Sequence, residues 1–166
     1  MPWTTPNTAI ASTVISSSAH NTYIRDNLNY LHSGRPIAKV QYEGSVDRTN
    51  STNSWADVDA TNLSVTLTIS SGRARVFASF RLAADNTTNS SAEADLIVDG
   101  TTRAGATHGL VRVSQNRDHQ CAIEAIFSGL SVGSHTFRLQ IRNVTNGAVA
   151  TVINNGYPIT IIVEEC

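Results

Sequence analysis

Side chains suited to acid–base or metal chemistry are few in this sequence, and their spacing does not favour it. No His-x-His or His-x-x-x-His pair for zinc occurs among the five histidines, His20, His32, His108, His119 and His135. No Gly-x-Ser-x-Gly turn and no phosphate-binding glycine loop is present. Ser134 and His135 are adjacent, and consecutive strand residues point to opposite faces, so they do not form a nucleophile–base pair. The sequence predicts that the chain is not an enzyme and needs no cofactor or metal.

Acidic residues are the remaining candidates for chemistry. The pairs that share a strand face are Asp57/Asp59 and Asp95/Asp99. We expect these to be solvated charges on the surface of a sheet. Asp85, Asn86 and Asn89 could offer oxygen ligands to calcium, although a plain polar loop over residues 85–91 is the simpler interpretation.

Aromatic rings with loop amides are typical of carbohydrate recognition. The candidate ligand-facing residues are Trp55, Tyr157, Asn86 and Asn89, with Tyr42 as a further aromatic. Aromatics make up only 6% of the chain, and most of them suit the core of a sheet protein. Sugar binding is therefore the second choice for function.

Composition narrows the class of protein and of partner. The 166 residues fit one domain with a short appendage, and the net charge of −1 gives no reason to expect nucleic acid. No stretch has the length of a transmembrane helix, and Met1–Pro2–Trp3 does not begin a signal peptide, so no membrane partner is expected. A bridge between Cys121 and Cys166 and two free thiols are both compatible with the sequence; assembly in a cytoplasm favours free thiols.

Residues 16–34 form the segment with a helical pattern. Serines precede it as N-caps and Gly34 ends it, and the spacing of Ile24, Leu28 and Leu31 places them on one stripe. Asn21 extends that stripe into a short coiled-coil register. A helix this short is marginal alone, so it either packs on its own sheet or, as we favour, associates with other copies or another protein.

From Gly34–Arg35–Pro36 onward the apolar period changes to two. Runs such as Ala74–Leu82, Leu63–Ile69 and Ala94–Val98 alternate apolar with polar residues, as half-buried strands do. Hairpin signals separate them: Ser71–Gly72, Asp99–Gly100, Val132–Gly133, Asn146–Gly147 and Asn155–Gly156. We therefore predict an all-β fold, a jelly-roll or β-sandwich of about eight or nine antiparallel strands with a short N-terminal α-helix. Residues 1–34 form the leader and helix, and residues 35–166 form the sandwich.

Two groups of motifs resemble virion proteins of tailed bacteriophages. The first consists of Trp3, Pro6, the run 11–15 and the helix core Asn21-Thr22-Tyr23-Ile24-Arg25-Asp26-Asn27-Leu28-x-Tyr30-Leu31. The second resembles the TNF- or C1q-like jelly rolls of viral fibres and decorations: Trp55-x-Asp57-Val58, Val98-Asp99-Gly100, Leu130-x-x-Gly133-x-His135-Thr136-Phe137 and the closing Ile161-Ile162-Val163-Glu164-Glu165.

This resemblance implies a non-enzymatic structural protein, assembled in the host cytoplasm and located on the virion surface. It implies a homotrimeric capsid decoration (cement) or head-fibre protein whose N-terminal segment binds the major capsid protein or another virion protein. The residues expected to anchor or trimerise it are Trp3, Asn21, Tyr23, Ile24, Leu28 and Leu31. The alternative is a tail or fibre protein that binds a host-surface carbohydrate.

Overall fold

The computed structural model describes residues 34–85, 89–105, 107–115, 117–145 and 148–166. Within these ranges the chain forms twelve strands and no helix. The strands are β1 (Ile37–Tyr42), β2 (Arg48–Asn50), β3 (Ala56–Asp57), β4 (Ser64–Ile69), β5 (Arg73–Ala84), β6 (Ser91–Val98), β7 (Thr102–Arg103), β8 (Val111–Ser114), β9 (Arg117–Ser128), β10 (Gly133–Asn143), β11 (Ala150–Ile153) and β12 (Ile159–Glu165).

The strands form two six-stranded sheets. In the first sheet β5 pairs with β9 along one edge and with β12 and β11 along the other, while β1 and β2 extend the sheet beyond β12 and β11. In the second sheet β10 lies between β6 and the shorter β3 and β4, and β7 and β8 pair with the far edge of β6. Pairing between the strands is antiparallel in both sheets.

The core lies between the sheets, and β5 shows why the sequence alternates. Ala74, Val76, Ala78, Phe80 and Leu82 are fully buried, whereas the residues between them face outward. Since successive strand residues point to opposite faces, the period-two pattern gives β5 one apolar face for the core. The facing second sheet contributes a similar set, which includes Phe137, Leu139, Ile141 and Leu96.

The predicted all-β architecture is confirmed for the described residues. Nine of the strands have four residues or more, and β2, β3 and β7 are short additions that the sequence pattern did not reveal. The Asp99–Gly100 hairpin is confirmed: both residues have positive φ, 52° and 69°, and the Thr101 amide donates to the Val98 carbonyl at 3.1 Å. The Ser71–Gly72 turn connects β4 to β5 as predicted.

The prediction for β6 is wrong in one respect. All eight residues of this strand are buried, including Glu93 and Asp95, which were expected to be solvated. Side chains from β8 and β10 and the connection after β7 lie over its outer face: Arg142 and Arg112 meet Glu93, and the Gly105 amide meets Asp95. Burial on both faces therefore depends on segments distant in sequence.

The predicted N-terminal helix lies outside the described residues. The same holds for the proposed anchor residues Trp3, Asn21, Tyr23, Ile24, Leu28 and Leu31, and for Asn86 in the polar loop. The division into residues 1–34 and 35–166 stays a prediction. Within the described part of the chain, no helix has the length and apolar character to span a membrane.

Candidate interaction surfaces

The outward face of β9, β5, β12 and β1 in the first sheet is the candidate interaction surface, and we call it the sheet-1 face. Strand register sets its side chains in rows. One row runs Lys39, Ile162, Phe77, Glu124, and the next runs Ile37, Glu164, Arg75, Ile126. In the first row two apolar side chains lie between charged ends, and in the second row two charged side chains lie between apolar ends.

Large apolar side chains stay accessible on the sheet-1 face. Ile37 is 61% exposed and Ile126 is 54% exposed, while Phe77 and Ile162 are half-buried. Arg75, Phe77, Ile162 and Glu164 line a shallow depression of about 210 Å³. An apolar patch with a polar rim is typical of a protein–protein contact.

Charges on this face are arranged in pairs. Arg75 donates to both carboxylate oxygens of Glu124, at 2.9 and 2.7 Å, and lies 3.9 Å from Glu164. The hydrogen bond from Arg75 lowers the pKa of Glu124. Arg81 and Asp118 form a further pair at 2.6 Å. Exposed pairs of this kind contribute little to folding because solvent screens them, so their charges can face a partner surface.

A second cluster of functional groups lies on the outward face of the second sheet. We call it the Trp55 cluster: Trp55, Glu93, Asp95, Arg103, Gln140 and Arg142. Arg142 Nε donates a hydrogen bond to Glu93 Oε2 at 2.8 Å, and Arg142 Nη2 lies 2.7 Å from the same oxygen. The guanidinium carbons of Arg103 and Arg142 each lie 4.8 Å from the centre of the Trp55 ring, within the range of cation–π attraction.

Both carboxylates of the Trp55 cluster are fully buried. Asp95 Oδ1 accepts the amides of Leu96 and Gly105, each at 2.8 Å. Burial raises the pKa of Asp95, against the opposing effect of those amides and of Arg103 and Arg142. The sequence pattern did not reveal this cluster because its members come from four separate stretches of the chain.

Ser131, His135 and Asp99 also come together, in an order that resembles a hydrolytic triad. His135 Nδ1 lies 2.6 Å from Asp99 Oδ2, and His135 Nε2 lies 3.5 Å from Ser131 Oγ. The same Nε2 lies 2.8 Å from the Ser131 carbonyl oxygen, which can only accept a hydrogen bond. A general base needs a free lone pair facing the nucleophile. Because both ring nitrogens face acceptors, this geometry suits an imidazolium with a structural role.

The predicted ligand-facing residues that the structure describes have different neighbours. Trp55 is half-buried beneath the two guanidinium groups, and Tyr157 is 43% exposed with the Arg81 guanidinium carbon 4.5 Å from its ring centre. Asn89 is exposed, has φ 62°, and donates its amide to Gln115 Oε1 at 3.2 Å. Tyr42 has Arg48 6.0 Å from its ring centre. A role for these residues in ligand binding stays a prediction.

Calcium ligands and cysteine thiols are the remaining candidate groups. The described residues contain no group of three or more His, Cys, Asp or Glu side chains placed to hold a metal ion. The Asp85 carboxylate, a candidate calcium ligand, accepts the Val149 amide at 2.8 Å and so ties its loop to the start of β11. Cys121 is buried and Cys166 is half-buried, and both are free thiols, as the sequence favoured.

No family model and no curated protein matches this chain. Among solved structures, it is similar to the TNF protein Eiger of S. frugiperda, with 17% identity, a TM-score of 0.45 and coverage of 80% of this chain and 94% of that one. The VP2 subviral particle of infectious bursal disease virus shares 12% identity at a TM-score of 0.43, over 79% of this chain and 38% of that one. This chain therefore spans less than two fifths of that viral protein.

A third solved structure comes from a bacteriophage. The tripod of the baseplate of bacteriophage Tuc2009 shares 14% identity at a TM-score of 0.37, over 99% of this chain and 76% of that one. At these identities and TM-scores, the similarities assign no function to the chain.

Proposed function

We propose that this chain is a non-enzymatic structural protein of a bacteriophage virion. It forms homotrimers on the virion surface as a capsid decoration (cement) or head-fibre protein, after assembly in the host cytoplasm. Residues 1–34 bind the major capsid protein or another virion protein, and residues 35–166 form the exposed body. The motifs around residues 21–31 support the virion assignment.

The sheet-1 face is the observation that carries self-association. Its apolar side chains Ile37 and Ile126 are more than half exposed, so burial against another copy would remove apolar area from water. In the row Lys39, Ile162, Phe77, Glu124 the two ends carry opposite charges. Lys39 of one copy can therefore meet Glu124 of the next. A head-to-tail contact of this kind forms a ring, as a trimer requires, when the rotation between successive copies closes.

Light scattering of the purified full chain tests the oligomer. We expect a trimer for the wild type and a shift toward monomer for the double variant Phe77→Lys and Ile126→Asp. This pair leaves the net charge unchanged, and strand register sets each new charge beside an opposite one, Glu124 and Arg75. The matched control is Thr68→Lys with Ser114→Asp, at exposed strand positions of the second sheet. A wild-type monomer at micromolar concentration, alone and on its particle, contradicts the proposal.

Particles that lack the protein test its role on the virion. A decoration protein stabilises the head by binding across its subunits, so we expect heads without it to break at a lower temperature. Host adsorption should be unchanged. Particles that keep full heat resistance and lose adsorption would contradict decoration and support the second function, a tail or fibre protein that binds host carbohydrate.

A further inference from the structure

The Trp55 cluster contains most of the buried polar atoms that lack a hydrogen-bonding partner in the described part of the chain. Eight such side-chain atoms occur there, and five belong to this cluster: Trp55 Nε1, Glu93 Oε1, Asp95 Oδ2, Arg103 Nη1 and Gln140 Oε1. A buried polar group without a partner costs about 1–3 kcal/mol, and native proteins hold few of them. Their concentration at one place points to a shared partner.

The atoms without partners are of two kinds, and this defines the chemistry of the partner. Trp55 Nε1 and Arg103 Nη1 are donors, whereas the oxygens of Glu93, Asp95 and Gln140 are acceptors. A partner that satisfies both kinds must donate and accept, as a hydroxyl group does. An anion would meet the carboxylates, and a cation would meet the guanidinium groups.

Charge balance supports a neutral partner. The two buried carboxylates, Glu93 and Asp95, lie among the guanidinium groups of Arg103 and Arg142. Arg112 also lies 3.8 Å from Glu93, so charges of both signs surround the cluster, and an added ion of either sign would meet repulsion from like charges.

The cluster approaches solvent at the Glu93 end. His108 Nδ1 lies 3.4 Å and Arg112 Nη1 lies 3.8 Å from Glu93 Oε1, and these side chains are 70% and 50% exposed. At this edge, Glu93 Oε1 is therefore covered by two side chains that are themselves largely exposed. The indole ring itself is covered by guanidinium groups, so recognition here depends on hydrogen bonds more than on stacking.

We propose that the Trp55 cluster is a binding site for hydroxyl groups, which bridge the N–H groups of Trp55 and Arg103 to the oxygens of Glu93, Asp95 and Gln140. The hydroxyl comes either from internal water or from a neutral sugar. Internal waters make two to four hydrogen bonds to buried polar groups of this kind.

Indole N–H signals of the full chain test the site by nuclear magnetic resonance, since the chain has two tryptophans. The variant Trp3→Phe assigns the two signals. If water occupies the site, the Trp55 N–H shows a dipolar contact with long-lived water that is unchanged by millimolar glucose or N-acetylglucosamine. If a sugar occupies it, one of these sugars shifts the Trp55 signal saturably while the Trp3 signal stays in place.

The absence of both effects would overturn the proposal. So would a crystal structure with ordered solvent elsewhere in which the five atoms bond directly to one another and no solvent oxygen contacts Trp55 Nε1. Neither outcome depends on trimer formation or on binding to particles.

Discussion

At the scale of single residues, His135 has the most specific environment. It is buried, and its ring lies between the Asp99 carboxylate and the Ser131 carbonyl. The hydrogen bond to Ser131 and then that to Asp99 raise the pKa of His135. Burial acts to raise the pKa of Asp99, but bonds from Thr136 and His135 outweigh it and lower that pKa. The charged pair is therefore the favoured state between these two pKa values.

This arrangement predicts a pH dependence of stability. Because the pKa of His135 is raised on folding, its protonated ring adds to the free energy of unfolding. This contribution is complete below the pKa of the unfolded state, about 6.5, and is lost as pH rises through the pKa of the folded state. The contribution of Asp99 is lost in the opposite direction, as pH falls through its lowered pKa. Urea unfolding at several pH values should show a decline in wild-type stability above about pH 6.5 that His135→Asn lacks. His119→Asn, at an exposed position of β9, is the control and should keep the decline.

Gly109 makes a second prediction at this scale. It has φ +67°, and a Cβ built there would lie 2.7 Å from Trp55 Cη2 and 2.7 Å from the Ala94 carbonyl oxygen. Gly100 has φ +69° but open space around such a Cβ. Both alanine variants carry the cost of a left-handed backbone, and only Gly109→Ala adds a clash. We expect Gly109→Ala to be less stable than Gly100→Ala by about 1–3 kcal/mol in urea unfolding. Equal losses would contradict a clash with Trp55 and the Ala94 carbonyl oxygen.

At the scale of elements, the end of β12 is tied to the turn between β4 and β5. Glu165 is 1% exposed, and its Oε1 accepts bonds from the Ser70 amide, the Ser70 hydroxyl and the Ser71 amide. Burial acts to raise the pKa of Glu165, but these bonds outweigh it and lower the pKa. The Glu165 carboxylate therefore accepts the hydrogen bonds of this turn in place of a backbone carbonyl.

Glu165→Gln should destabilise the sandwich by about 1–3 kcal/mol, because an amide is a weaker acceptor for three donors and brings N–H groups of its own. Glu164→Gln is the matched control: this half-buried neighbour makes only long ion pairs, at 3.8 and 3.9 Å, and should change stability by less than about 0.5 kcal/mol. Thermal unfolding at neutral pH compares the two. The difference in stability between the two variants should become smaller in acid. Because the pKa of Glu165 is lowered on folding, the stability that its carboxylate contributes is lost as pH falls through that pKa.

At the scale of the whole molecule, the buried apolar residues of the described core lie between positions 58 and 163, and Ala38, Val40 and Tyr42 of β1 pack against them. We therefore expect a chain of residues 34–166 to fold and to unfold cooperatively, with β-rich circular dichroism. The start at Gly34 keeps the Glu165 amide bond to the Pro36 carbonyl at 3.0 Å. In the proposed division, this truncated chain fails to bind particles depleted of the protein. Binding equal to that of the full chain would place attachment on the sandwich.

Two surfaces are candidates for holding the proposed trimer, and a comparison of variants separates them. If the helical stripe dominates, Leu28→Asp with Leu31→Asp yields monomers, and residues 34–166 are also monomeric. If the sheet-1 face dominates, residues 34–166 stay trimeric and Phe77→Lys with Ile126→Asp yields monomers. Light scattering at one protein concentration measures all three, with circular dichroism to check that each remains folded.

The sequence alone determined the class of structure, because strands and tight turns follow from local chemistry. The alternation along residues 74–82 separates a buried face from an open one whatever lies opposite. Asp99–Gly100 favours its turn through backbone conformations that these two residues adopt readily. Both features come from neighbours in the chain, so both could be predicted.

Only the tertiary structure decided which polar residues are buried and which surfaces are left open. Asp99 and His135 are 36 positions apart, and Arg142 and Glu93 are 49 apart. Their contacts depend on the order and register of strands in the second sheet, which no local pattern encodes. For the same reason the strand pattern could not distinguish β6, covered on both sides, from β5, whose outward face is accessible. Burial of an outward face depends on what the rest of the chain places over it.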